Sequence, residues 1–500
     1  MSASSSMRTW ALELPRVPMI AQRRCLLGVL LFLAALNARA DTLAIVGGTI
    51  IDGTGGKPIE AGVLVVEDKR IVAVGDHSLK IPAHARKITA AGKFIIPGLM
   101  DGGVFLVGDY EPADTLIRYE GRYDELAIEG VQLALKAGVT TVIGVWAPRD
   151  DAIKARDAIN QGRVPGARIL SSGNIVGYDG PLSNDFLGDD AGQPIESFEP
   201  AVSKRFMDRV NARFTQNVGS ELSLLPLEEV RQRVHEYAHS GIDFMAVGIN
   251  GHRSGAFQYS AFSPRVHQAI MEEAHRAGLV AVGFNTGTEE AIRLALDAGA
   301  DVLDCDVSLT GHAHSAQMIA LLAQRQIPCL ISPYTDEAAA FYHAHYSGPG
   351  PIIQVVDSTQ ANDRALIQAG AMTLMGTGSG LYSADTLASW QSRGIAMTDG
   401  QSLKLFGDGH FWWLQAAQDM GMKPMAILQS ATRNVARGFR VDQDLGTLEP
   451  GKLADLVILD RDPLQNAKNY RAIHLVMKEG RIIDRAALPT QKLLTTSGRP

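Results

Sequence analysis

Only a few side chains in this sequence could act on a small molecule, and most fall just after a short apolar run. His312-Ala-His314 has the spacing at which two loop imidazoles share a metal ion, although an open zinc site asks for about three protein ligands. Cys305 ends an apolar run, and its thiol becomes a nucleophile if His252 or His312 takes its proton. The same cysteine reads equally as a small buried filler. Asp101, Asp306, Tyr334 and Asp336 add acidic groups near the same ends. His343 and His345 sit in the aromatic stretch Phe341-Tyr-His-Ala-His-Tyr346, which reads as a lid over a ligand or as plain loop packing. His410-Phe-Trp-Trp-Leu414 reads as core or pocket wall.

These residues need a scaffold, and the middle of the chain supplies one. Eight short apolar segments alternate with helical patterns: Phe94–Asp101, Val139–Val145, Arg168–Asn174, Ile242–Gly248, Leu279–Asn285, Asp301–Asp306, Pro328–Pro333 and Ala371–Gly378. Several follow an Ala-Gly joint (Ala137-Gly138, Ala277-Gly278, Ala298-Gly299, Ala369-Gly370), where glycine past a helix end turns the chain into the next strand. Eight such units predict an α/β protein built on a (β/α)8 TIM barrel over residues 97–439, with functional side chains at the C-terminal strand ends. Long loops at about 175–225 and 334–360 would shape the mouth. Both ends of the chain are rich in β-branched runs and glycine turns, so 41–96 plus 440–485 are expected to build one small composite β-sandwich, with 486–500 a loose tail.

Arg23-Arg24, the apolar run Cys25 to Leu36 and Ala38-Arg39-Ala40 read as a signal peptide over residues 1–40, with a helical membrane anchor as the alternative. The expectation is export by a Sec or twin-arginine route to the periplasm or beyond, with no membrane attachment in the mature form. Two cysteines would remain, too few for a disulfide scaffold. A net charge of −7 over 500 residues gives no footprint for nucleic acid.

The stretch Lys93-Phe-Ile-Ile-Pro-Gly-Leu-Met-Asp-Gly-Gly-Val-Phe-Leu106 resembles the "PGL-I-D-x-H-x-H" opening strand of the metal-dependent amidohydrolases, in their imidazolonepropionase-like and prolidase-like branch. Gly138-Val-Thr-Thr-Val142, Val164-Pro-Gly-Ala-Arg-Ile-Leu-Ser-Ser-Gly173, Ala431-Thr-Arg-Asn-Val-Ala436 and the "G-x-L-x-P-G-K-x-A-D-L-V" run from Gly446 extend the resemblance over nearly all of the mature chain. It implies hydrolysis of C–N bonds in amides, cyclic amides or dipeptides. It also implies zinc or another divalent metal that activates water at the barrel mouth, with an aspartate after strand 8 taking the proton.

Carried across by local match, the strand-1 histidines fall on Gly103 and Phe105, and the strand-4 lysine on Ala246. The strand-5 histidine falls on Gly283 beside Asn285. On strand 6 the glutamate falls on Asp304 and the histidine on Cys305; the strand-8 aspartate falls on Gly378. Of the replaced ligands only Cys305 could coordinate, so the sequence predicts no metal and no cofactor. Gly103, Ala246, Gly283 and Gly378 predict a widened mouth. The functional expectation is a catalytically degenerate member that binds a small molecule there, or joins an active paralogue in a homo-oligomer or hetero-oligomer. The alternative is a metal-independent hydrolase of an amide, lactam or lactone, using Cys305, His252, His312 or Asp101.

Overall fold

The computed structural model describes residues 42–107, 113–183, 204–251, 259–305, 312–345, 351–384, 386–388 and 405–495. The expected signal peptide, His252 and Asp306 lie outside them, as does the side chain of His345. No helix among the described residues is long and apolar enough to cross a membrane.

Five strands open the chain: β1 (Thr42–Ile50), β2 (Ile59–Glu67), β3 (Arg70–Gly75), β4 (Arg86–Thr89) and β5 (Phe94–Pro97). Eight more follow as β6 (Leu99–Phe105), β7 (Val139–Trp146), β8 (Arg168–Ser171), β9 (Met245–Gly248), β10 (Ala281–Phe284), β11 (Val302–Asp304), β12 (Cys329–Ile331) and β13 (Thr373–Met375). β14 (Leu456–Leu459), β15 (Ile473–Lys478) and β16 (Arg481–Ile482) close it. The first five and last three strands join in one eight-stranded sheet, in the order β16-β15-β14-β5-β1-β2-β3 with β4 paired to β1. They form this single sheet instead of the two facing sheets of a sandwich.

The segment Phe94–Asp101, expected as one strand, divides at Gly98. β5 pairs with β14 in the terminal sheet, whereas β6 pairs with β7 in the parallel layer. A side chain at residue 98 would put its Cβ 2.3 Å from Thr140 Oγ1, so only glycine lets the chain cross there.

The eight parallel strands fall into two sheets, β13-β12-β11-β10-β9 and β6-β7-β8. The uninterrupted barrel ladder read from the sequence is therefore replaced by two arcs that meet at seams. At one seam Val104 bridges Ser379, and at the other Val176 bridges Val247. The first seam breaks the ladder because the Gly102-Gly103 pair shifts the register of β6 between Asp101 and Val104. The Ala-Gly joints do what the sequence asks of them: Gly299, at φ 102°, caps the helix Glu289–Ala298 in the left-handed conformation and feeds β11.

The stretch 334–360, expected as a loop, carries the helix Asp336–His345 and the start of Pro351–Gln368. One large apolar cluster fills the space inside and around the parallel strands, while two smaller ones cover the faces of the terminal sheet.

The terminal sheet is tied to the parallel layer by buried charge. Arg168, at the start of β8, donates to Asp455 Oδ2 at 2.6 Å and to Glu479 Oε1 at 2.8 Å, and Lys69 donates to Glu479 Oε2 at 2.9 Å. The tail expected to be loose is ordered as far as residue 495. It runs along the helix Tyr123–Lys136, where Lys136 Nζ donates to the Leu488 carbonyl at 2.8 Å and Gln132 Nε2 to Thr490 Oγ1 at 3.0 Å. Leu488 and Leu494 are buried in the main core, so apolar anchors overcome the polar sequence around them.

Candidate functional site

Asp101 ties β6 to the turn after β13. Its Oδ2 accepts the Thr377 hydroxyl at 2.6 Å, and its Oδ1 accepts the Thr377 N–H at 3.1 Å. Beside it the Gly378 N–H donates to the Gly103 carbonyl, and the Phe105 N–H to the Ser379 carbonyl, both at 2.9 Å. Burial pushes the Asp101 pKa up to about 7 against the pull of the Thr377 and Gly103 bonds. Its oxygens are committed to the seam, so the reading of Asp101 as a free acid at the mouth is corrected.

The strand tips are aromatic. The Phe105 ring, at the end of β6, meets Trp146 edge-on with centroids 6.2 Å apart and Phe284 edge-on at 6.4 Å. Tyr178 meets Phe284 at 6.4 Å, also edge-on. Trp146 and Tyr178 are fully buried, while Phe105 and Phe284 are partly exposed, so two phenylalanine rings form the accessible surface over a rigid aromatic backing. Trp146 is fixed by its indole N–H, which donates to Asn174 Oδ1 at 2.7 Å. Trp146, Tyr178 and Phe284 were missed as site residues. Reading the last residue of every parallel strand, and not only the ligand motifs, would have found Trp146 and Phe284.

The positions matched to ligands divide into two groups. Among the described residues, the nearest atoms to a Cβ on Gly103 are those of Gly376 and Leu330, at 3.8–4.0 Å, and to one on Gly378 the Phe105 ring, at 3.6 Å. Both therefore face the shared interior. Ala246 pairs with Val282, one position before Gly283 and two before Phe284 on β10. Gly283 itself faces the other way: its Cβ would meet Ala295 at 3.1 Å, on the outer helix Glu289–Ala298, along with Leu303 and Ile249. Because consecutive strand residues face opposite sides, the inward position on β10 is Phe284, and the assignment of Gly283 to the mouth is corrected by one residue.

The proposed nucleophile fares similarly. The Cys305 thiol is fully buried, as is that of Cys329, and neither is in a disulfide. His314 is not its base: Nε2 donates to the Cys305 carbonyl at 2.9 Å, and burial holds the ring's pKa below its usual value. The His314 N–H is taken by Asn362 Oδ1 at 2.7 Å, while His312 is exposed. The two imidazoles thus do not form the shared site their spacing offered. His343 pairs with Asp357 at 2.8 Å between neighbouring surface helices. His410, with burial pushing its pKa down to about 3, bonds the Ala137 carbonyl at 3.0 Å, and Trp413 donates to the Ile331 carbonyl at 2.7 Å. Both belong to the core.

At the tip of β10, Asn285 holds a left-handed backbone at φ 57°. Its N–H donates to Asp304 Oδ2 at 3.2 Å and its Nδ2 to the Gly251 carbonyl at 3.0 Å. Asp304, next to Cys305, stands at the tip of the neighbouring strand.

The amidohydrolase family model matches residues 120–483. Among solved structures, a molinate hydrolase is 33% identical, with a TM-score of 0.85 over 92% of this chain and 98% of that one. Phenylurea hydrolase B is 32% identical, with a TM-score of 0.83 over 91% of this chain and all of that one. Prolidase-like enzymes share the fold. Among curated proteins, an adenine deaminase of Desulforamulus reducens is 37% identical over 87 residues, and this chain spans 14% of its length.

These likenesses correct the expectation of a protein without a cofactor. The hydrolases and deaminases of this family are typically metal-dependent, and substitution at the strand-borne positions does not establish that the metal is lost. The side chains at those positions do not fit the ion, however. Gly103, Ala246 and Gly378 offer no donor atom, Phe105 places a ring in the interior they share, and Cys305 is sealed away from it. Among the described residues no three histidines, cysteines or carboxylates converge.

Proposed function

The chain belongs to the amidohydrolase family, and from that footing we propose that it hydrolyses the C–N bond of an apolar, N-substituted carbonyl compound of the urea, carbamate or anilide kind. The supporting observation is the rim of Phe105 and Phe284, backed by Trp146 and Tyr178, which gives an aryl or alkyl group an apolar surface at the strand tips. Full-length likeness to phenylurea hydrolase B and molinate hydrolase points to the same class. The chain's own contribution is to bind and orient: the rings exclude water from the apolar part of the substrate, and the acceptor oxygens at the tips of β10 and β11 address the N–H beside its carbonyl. The net reaction adds water to the carbonyl carbon and releases the amine.

The test is amine release from N-phenyl-N′,N′-dimethylurea and matched carbamates and anilides, with the purified protein alone and with zinc, cobalt or manganese supplied. Release of the amine from at least one compound is expected. No release from any of them under any metal overturns the reading.

A second reading is favoured by Gly103, Ala246 and Gly378, which offer no donor atoms where the resemblance implies ligands. It is a member of the family that binds the same compounds without turning them over. Thermal stabilisation by a compound whose amine is never released distinguishes it.

A further inference from the structure

Asn285 carries an orphan. Because the Gly251 carbonyl can only accept, the amide atom facing it at 3.0 Å is the nitrogen, which fixes the other amide atom as oxygen. That Oδ1 is buried and has no hydrogen-bond partner among the described residues, and the residue is only 6% exposed. A buried acceptor without a donor is costly, and so is a left-handed backbone at a non-glycine residue. Both costs fall on one residue at a strand tip, next in the chain to the partly exposed Phe284. The Asp304 carboxylate on the Asn285 N–H and the Gly251 carbonyl on its amide hold the side chain in a single pose.

We infer that Asn285 determines specificity: its Oδ1 accepts the N–H of the substrate while the group on that nitrogen lies against Phe284 and Phe105. The left-handed turn interrupts the alternation that would send residues 284 and 285 to opposite faces. The substrate class narrows accordingly to secondary ureas, carbamates and anilides, which retain one N–H beside the apolar group. N-methylated analogues would leave the oxygen unsatisfied and force a methyl group against it.

This inference rests on the proposed substrate class, and the experiment separates the two. Titration calorimetry compares N-phenyl-N′,N′-dimethylurea with its counterpart methylated on the phenyl-bearing nitrogen. The wild type is expected to bind the N–H urea about tenfold more tightly or better. Asn285→Gly, which keeps the left-handed backbone free of strain, should bring the pair within about twofold. Equal binding of both ureas by the wild type overturns the role of Asn285 and leaves the substrate class standing. Binding of neither urea overturns both. An undiminished preference in a folded Asn285→Gly protein also overturns the role, and if that variant does not fold, the wild-type comparison still decides.

Discussion

A Cβ built on Gly378 stands 3.6 Å from Cε2 of Phe105, an ordinary contact across the interior between the tips of β6 and β13. Phe105 is thus the group that gives this interior its chemistry. Phe105→Ala should weaken binding of an aryl urea about tenfold, since a ring contact with the aryl group contributes about 0.5–1.5 kcal/mol beyond burial and would be lost. It should also lower unfolding stability by about 2–4 kcal/mol, towards the low end for phenylalanine because the ring is partly exposed. Calorimetry and urea unfolding check both, and tighter binding by the alanine variant would contradict the assignment.

Asp101 predicts a pH dependence. Its folded-state pKa, raised to about 7, lies above the value of 3.8 taken for the free side chain. From about pH 4 to pH 7 the unfolded chain therefore ionises at this position while the folded chain does not. The contribution is most favourable below pH 4, declines across that window and is level above it. The full difference corresponds to at most about 4 kcal/mol. Asp101→Asn retains an acceptor for Thr377 but does not titrate. The stability of the wild type relative to this variant should fall by about 2–4 kcal/mol between pH 4 and pH 8. A difference that stays level with pH would show that Asp101 is already ionised in the folded protein.

Local rules made the scaffold legible, and remote partners hid the rest. The parallel strands could be read because each follows a helix whose end needs glycine, as at Gly299. The break at Gly98 could not, because Phe94 to Asp101 is one apolar run, and what divides it is the pairing of Ile96 with Val457, far along the chain. Gly103 and Gly378, placed at the strand tips by match, leave room for a Cβ on the side of the shared interior. A one-residue slip on β10 put Gly283 in the mouth and left Phe284 out, since a period of two reverses the face with every step. The left-handed backbone of Asn285 has no sequence signal stronger than the tolerance of asparagine for that conformation.

The Arg168 cluster predicts acid sensitivity where the terminal sheet meets β8. Burial raises the Glu479 pKa, but the Lys69 bond and the charges of Lys478 and Arg168 outweigh it and bring the value down to about 2. A depressed carboxylate contributes stability above its unfolded value of 4.5, and that contribution fades as pH falls towards 2. Glu479→Gln should cost about 1–3 kcal/mol at pH 7, a range that allows for solvent screening of this half-buried group. The gap between variant and wild type should narrow as pH falls below about 4.5 and close only towards pH 2. A gap that does not narrow between pH 5 and pH 2 would mean that packing, and not charge, holds this joint.

The last prediction concerns the C-terminal strap and Glu129. This buried carboxylate accepts the N–H groups of Leu493 at 2.9 Å and Leu494 at 3.0 Å, and the Tyr119 hydroxyl donates to the Leu493 carbonyl at 2.9 Å. The Leu494 carbonyl in turn accepts the N–H of Ala384, six residues beyond Gly378 on the segment that leaves β13. The strap thereby links the helix Tyr123–Lys136 to the chain leaving the mouth. The Leu493 and Leu494 N–H groups share Oε2 while Thr495 uses Oε1, so Glu129→Gln keeps one acceptor oxygen and loses the charge and one of these two sets of bonds, at a cost of about 1–3 kcal/mol. Truncation after Asp484 removes the buried side chains of Leu488 and Leu494 as well, each contributing about 1.5–3 kcal/mol. Unfolding measurements should rank the truncated chain below Glu129→Gln, and Glu129→Gln below the wild type. Amide exchange at Ala384 should accelerate in both, because its acceptor is loosened in one and absent in the other. Unchanged exchange at Ala384 in the truncated chain would show that the segment after β13 keeps its place without the strap.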